Sequence, residues 1–221
     1  VVDYTQAIKQ VKSLEKTMIK ILLTTLLFLF SLQATAANIV INGSFENPDI
    51  KPGSWTVLPA IAGWTTGGAG IEIRDNVAGK AYEGSQFAEL DSHGKDSNSS
   101  ISQTLSTLVG ETYKLSFAYS PRINQPEATN GISVFWNDVL LDSVSAVGSK
   151  THNWIVYSFM VKAIGNDVLK FAAVGKEDTL GGSLDAVTVS AVPVPAAALL
   201  FAPALLGFMG LRRKAKAMIA R

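Results

Sequence analysis

The chain has 221 residues, no cysteine and a formal net charge of +1. Without cysteine, disulfides, thiolate catalysis and cysteine-ligated zinc are excluded. The charge is unevenly spread: residues 37–192 carry ten Lys or Arg against sixteen Asp or Glu, a net of −6, which argues against a nucleic-acid partner and suits hard cations.

Residues 1–17 contain Lys9, Lys12 and Lys16 but no apolar stretch of their own. They are expected to be an upstream extension, with Met18 as the initiator. From Met18 the order is Lys20, an apolar run from Ile21 to Leu32, and then Ala34-Thr35-Ala36. That order gives a signal peptide over 18–36: a positive charge, an apolar core too short to span a bilayer comfortably, and a small-residue cleavage site.

Between Asn38 and Val192 the pattern is period two. Strands are predicted at Ile39–Ile41, Ile71–Arg74, Phe87–Leu90, Ser100–Leu105, Tyr113–Tyr119, Ile132–Trp136, Ile155–Val161, Leu169–Ala173 and Leu184–Val189. Tyr113, Leu115, Phe117 and Tyr119 share one face, as do Ile155, Tyr157, Phe159 and Val161. Turn residues separate most runs, and none has a helical period. The fold class expected for 37–191 is therefore all-β, an antiparallel jelly-roll β-sandwich.

The last strand holds the most informative residue. Asp185 has the parity of Val187 and Val189, so a carboxylate is expected among β-branched apolar groups, which is costly unless it is paired or holds a metal. Glu46, beside Asn47 and Asp49, is a candidate partner for Ca²⁺; the alternative is that Asp185 accepts backbone hydrogen bonds at the strand mouth. Glu89 and Asp91 share a face with Phe87, and Glu72 lies on another strand. A hydrolytic carboxylate pair needs a set separation that sequence does not supply. His93 and His152 lie in polar, loop-like stretches and are expected to be solvated. There is no nucleophile elbow near Ser92-His93.

Four tryptophans remain, Trp55, Trp64, Trp136 and Trp154. Exposed aromatic faces beside polar groups bind sugar rings. Trp64 in its Gly- and Thr-rich loop and Tyr82 beside Glu83 are the candidates for exposed rings, with Arg122 as a bidentate donor. The matches to a glycosylation sequon at Asn42 and Asn98 are expected to be fortuitous.

At the C-terminal end, Val192 to Leu211 is twenty residues without a charge, followed by Arg212, Arg213 and Lys214. A transmembrane helix is expected over about 194–211, with the basic cluster cytoplasmic and the domain outside. The order of Pro193-Val194-Pro195, apolar helix and basic cluster over 192–221 resembles the PEP-CTERM family of sorting signals, in its VPxPA-like form. The resemblance implies an exosortase-type membrane peptidase as partner. It also implies a Gram-negative host, transient residence in the inner membrane, and delivery to the cell surface or extracellular matrix.

The motifs NGSFENP at 42–48, Gly63-Trp64, GIEIRD at 70–75, EGSQFAELDS at 83–92, SISQTL at 100–105, YKLSFAYSPR at 113–122 and GGSLDAVTV at 181–189 occur in one order. That series resembles the domain-of-unknown-function family 642. The resemblance implies a galactose-binding-like jelly roll akin to carbohydrate-binding modules, with a structural Ca²⁺ between Glu46 and Asp185. The function expected is non-catalytic binding of an exopolysaccharide or cell-wall glycan. The alternatives are a structural or adhesive matrix protein and, behind it, a glycan-active hydrolase.

Overall fold

The computed structural model describes residues 36–93 and 96–193, together with Ser13, Leu14 and Thr17. The expected signal peptide, up to residue 35, lies outside the described residues, and so do the expected helix at about 194–211 and Val194, Pro195, Arg212, Arg213 and Lys214. Among the described residues no helix is long and apolar enough to cross a membrane.

Residues 36–192 form one compact unit. Its strands are β1 (Trp55–Leu58), β2 (Thr65–Gly67), β3 (Ile71–Asp75), β4 (Gln86–Glu89), β5 (Ser100–Leu105), β6 (Thr112–Ser120), β7 (Gly131–Trp136), β8 (Val139–Val144), β9 (Ile155–Lys162), β10 (Asp167–Val174) and β11 (Ser183–Ala191). They make two antiparallel sheets, ordered β1-β3-β4-β11-β6-β9 and β2-β5-β10-β7-β8. From β4 onward the chain crosses between the sheets at nearly every connection, as jelly-roll sandwiches do.

The predicted alternation defines the core. Leu115, Phe117 and Tyr119 of β6 and Val161 of β9 face Ile101 and Leu105 of β5, Ile132 and Val134 of β7, and Leu169 and Phe171 of β10. Sheets packed this way bury their inward residues against one another.

Three strands escape the sequence pattern. β1 and β2 are short, and β8 is an edge strand with mostly exposed residues and no clean alternation. Its hairpin with β7 turns on Asn137 and Asp138, both at positive φ (51° and 60°), the conformation that two-residue hairpin loops demand and that Asn and Asp tolerate. The strand predicted at Ile39–Ile41 does not form. Ile39 donates to the Val189 carbonyl (2.9 Å), but Ile41 pairs with the side-chain amide of Gln103, donating to its Oε1 (2.8 Å) and accepting from its Nε2 (3.0 Å). One amide side chain thus takes the place of a neighbouring strand.

The parity argument for Asp185 fails for a local reason. β11 is bulged between Asp185 and Thr188, where Ala186 adopts φ 48°. The extra residue shifts the phase. Leu184, Val187 and Val189 all enter the core, whereas Asp185 stands opposite Ala118 on the other face of the sheet. Asp185 is fully buried all the same, because loops cover that face.

Candidate functional site

The outer face of the β1-β3-β4-β11-β6-β9 sheet is unusual in being polar and yet closed off. Glu72, Arg74, Phe87, Glu89, Asp91, Ser183 and Asp185 are all buried. Four carboxylates account for much of this, since each holds a loop down over the sheet.

Glu46 Oε1 accepts the N–H groups of Ser85 (2.9 Å) and Gln86 (2.8 Å), and its Oε2 accepts the Ser85 hydroxyl. Asp185 Oδ2 accepts the N–H groups of Tyr82 (2.8 Å) and Glu83 (3.0 Å), and its Oδ1 that of Ala186. Two residues from opposite ends of the domain therefore grip one segment, 82–86. Burial pushes the Asp185 carboxyl up to about 7, against the pull of those three N–H donors. Asp91 Oδ2 accepts from Asp178 and Leu180, and Glu89 Oε1 from Gly181 (2.9 Å), which pins 178–181 in the same manner.

These contacts bear on the expected Ca²⁺. A cation requires free oxygen lone pairs. Every carboxylate oxygen of Glu46 and Asp185 already receives at least one N–H or O–H donor, so both side chains are held in place by the domain's own hydrogen bonds. Among the described residues no three His, Asp or Glu side chains converge into a metal cage. The hydrogen bonds of Asp185 agree with the alternative of a carboxylate that accepts from backbone.

Beside this clamp, Glu72 and Glu89 are cross-strand neighbours on β3 and β4 and share Arg74, which lies 2.8 Å from Glu89 through Nε and also contacts Glu72. The contacts are ionic rather than well aligned, and both oxygens of Glu72 lack a hydrogen-bond donor. Burial pushes Glu72 upward, and Glu89 to about 7, although Arg74 and Arg122 pull both down. Arg122, expected to greet a ligand, instead donates to Glu89 and reaches the Thr179 carbonyl. Its guanidinium is spent on the domain itself.

Trp64 is likewise not where the sequence placed it. It is only 4% exposed, it packs at a tilt against Phe45 (5.9 Å) and Phe171 (6.3 Å), and its indole donates to the Asn42 carbonyl. Gly63 turns the chain so that this ring enters the core, and it offers no face to a ligand. Trp136 is also in the core. Trp55, 43% exposed, lies over Arg74 with the guanidinium carbon 5.6 Å from the ring centroid.

A second aromatic surface lies around Tyr82 and Trp154. Tyr82 is 50% exposed and meets Trp154 edge to face at 6.1 Å. Trp154 packs edge to face on Phe87 (5.9 Å) and His152 (5.0 Å). Its indole donates to the Lys80 carbonyl (2.9 Å), which also accepts from His152 Nδ1 (2.8 Å). The His152 ring is therefore half-buried rather than solvated. Burial lowers its pKa, and Nε2 is left facing Ser183 Oγ at 3.4 Å.

Trp154 and His152 form one wall of an open cleft of about 350 Å³, completed by Asn76, Gly79, Lys80, Ile123, Lys150 and Thr151. Of the residues singled out from sequence as binding candidates, Tyr82 alone borders this region. Trp154, Lys80 and Lys150 were not marked out, although one signal was legible: Trp154 stands just before the strand run at Ile155, where a ring leaves the sheet for the loop.

No family model matches the chain, and no curated protein matches it. Among solved structures, a CBM61 module in complex with β-1,4-galactotriose is 16% identical, covers 71% of this chain and 100% of its own, and superposes with a TM-score of 0.46. The CBM22-1 xylan-binding domain from Paenibacillus barcinonensis Xyn10C is 15% identical over 73% and 99% of the two chains, with a TM-score of 0.43. A family 35 carbohydrate binding module from Clostridium thermocellum is 14% identical over 62% and 97%, with a TM-score of 0.37. The ligands in those names belong to those proteins.

Proposed function

We propose that the domain binds polysaccharide without cleaving it, seating a sugar ring against Trp154 in the cleft between the 76–80 and 150–154 segments. The observation that carries this reading is the cleft itself. An aromatic ring held by its own N–H stands among amide, hydroxyl and ammonium groups, the pairing of apolar face and placed polar groups that sugar rings need. Its volume falls in the usual range for ligand sites, about 300–1,000 Å³. Tyr82 extends the aromatic surface outward.

The non-catalytic reading is supported by the carboxylates. Glu72 and Glu89 are shut in behind Arg74 and Arg122, and Asp91, Glu46 and Asp185 are committed to holding loops. A hydrolase would need two of them open to the glycosidic oxygen and to water.

Export and sorting complete the proposal. The signal-like segment at 18–36 and the tail at 192–221, with Pro193, Val194 and Pro195 before its apolar run, support delivery through an exosortase-type system to the cell surface or matrix. The crossing order of the strands supports the galactose-binding-like form of the sandwich.

The test is a panel of immobilised polysaccharides probed with the native protein and with Trp154→Ala. Binding to at least one polymer, weakened on the order of tenfold or more in the variant, is expected from the loss of a stacking face. Binding to no polysaccharide would sink the proposal.

A further inference from the structure

Two of the cleft's residues, Lys80 and Lys150, carry charge that nothing in the fold consumes. The ion pairs among the described residues are Arg74–Glu72, Arg74–Glu89, Arg122–Glu89 and Lys176–Asp178. Both arginines of the described domain are thus engaged, while neither cleft lysine is. The cleft lining holds no Asp or Glu, although acidic residues outnumber basic ones sixteen to ten across 37–192.

The acidic side chains nearest in sequence are drawn elsewhere. Asp75, next to Asn76, accepts the Gly53 N–H (3.2 Å), and Glu83, beside Tyr82, accepts the Ser44 hydroxyl (2.9 Å). His152 adds no charge near neutral pH, because burial lowers its pKa. Lys80 is held on the cleft through its own carbonyl by the Trp154 and His152 donors. The cleft is therefore a local basic site on an acidic domain, lined by two cations and an aromatic ring.

We infer that the ligand is an acidic glycan, one whose sugar rings carry carboxylates, with Lys80 and Lys150 as the residues that select it. This rests on the polysaccharide reading above and names its substrate class. A neutral glycan would use Trp154 and leave both ammonium groups solvated. A uronate ring stacked on the indole would bring its carboxylate among them, and an ammonium group pairs with a carboxylate as a point charge without needing bidentate geometry. The net charge of −6 over 37–192 opposes the approach of any polyanion, so a preference for the acidic form has to come from Lys80 and Lys150 in the cleft and not from diffuse attraction.

The experiment titrates the native protein with polygalacturonate and alginate, and with the fully methyl-esterified form of each, which keeps the backbone and removes the charge. At low salt the acidic form should bind on the order of tenfold more tightly, the gain expected of two exposed ion pairs. The preference should vanish near 1 M salt, where the screening length is about 3 Å. The double variant Lys80→Gln, Lys150→Gln should bind acidic and esterified polymers alike, with Trp154→Ala as the control that weakens both. Equal affinity for the two forms in the native protein, or a preference that survives in the double variant, overturns the inference and leaves polysaccharide binding intact. Failure to bind these polymers and every neutral glycan overturns both.

Discussion

The indole N–H of Trp154 donates to the carbonyl of Lys80 at 2.9 Å, and this bond joins the aromatic wall of the cleft to one of its two cations. Trp154→Phe retains a ring but loses the donor. Polysaccharide affinity is expected to fall severalfold, by less than in Trp154→Ala, with stability lowered by about 1 kcal/mol. Titration calorimetry and urea denaturation of the two variants check the ordering.

Trp64 gives the opposite result. Because it is core, Trp64→Ala should cost about 3–5 kcal/mol and act on binding only through unfolding. Tyr82→Ala should leave stability within about 0.5 kcal/mol and weaken polysaccharide binding. Denaturation midpoints beside affinities separate the pair.

The grip of Glu46 and Asp185 on segment 82–86 predicts coupled losses. Asp185→Ala strips buried N–H groups of their acceptor and should cost about 3 kcal/mol; Glu46→Ala, less enclosed, should cost about 1–2 kcal/mol. Since both hold the same segment, the double variant should fall short of the sum. Chelators should leave the melting temperature of the native protein unchanged. A drop on chelation that added Ca²⁺ reverses would show that a cation takes part in the clamp.

Glu89 and Asp185 both have carboxyls raised to about 7 by burial, above their values in the unfolded chain. The folded state therefore holds more protons than the unfolded state between the two values, and the stability these groups contribute is lost as pH rises through 7. Melting temperature should decline from pH 6.5 to pH 8, and Glu89→Gln should remove roughly half of the decline. His152, whose pKa is lowered, acts in the other direction below about 6.5, so the comparison belongs on the alkaline side.

Gly43 of the NGSFE motif is fixed by contact. A Cβ there would lie 2.0 Å from the Val187 carbonyl oxygen, just past the β11 bulge, where Val187 N–H also donates to the Gly43 carbonyl (2.9 Å). Gly43→Ala must push the two backbones apart, and a loss of about 2 kcal/mol or more is expected in denaturation.

That same contact shows what the sequence could and could not convey. Period-two runs placed eight of the strands and the core faces of β6 and β9, because inward burial repeats along each strand. The bulge at Ala186 left no trace in that pattern, so Asp185 was assigned to the wrong face while its burial was anticipated. Ile39–Ile41 reads as a strand because it is a short β-branched apolar run, but the backbone of Ile41 is met by a Gln103 side chain sixty-two positions away. The site was less legible still. Whether Trp64 or Trp154 is drawn into the core depends on which loop folds inward, and the cleft is assembled from segments some seventy residues apart, a distance that local patterning does not bridge.

The four tryptophans provide the most direct measurement of where a glycan sits. Their indole N–H resonances, assigned by substitution, can be followed while the protein is titrated with a polysaccharide it binds. The Trp154 resonance is expected to shift in proportion to saturation while those of Trp64 and Trp136 stay fixed in the core. Saturable binding that leaves Trp154 unmoved would contradict the assignment of the cleft.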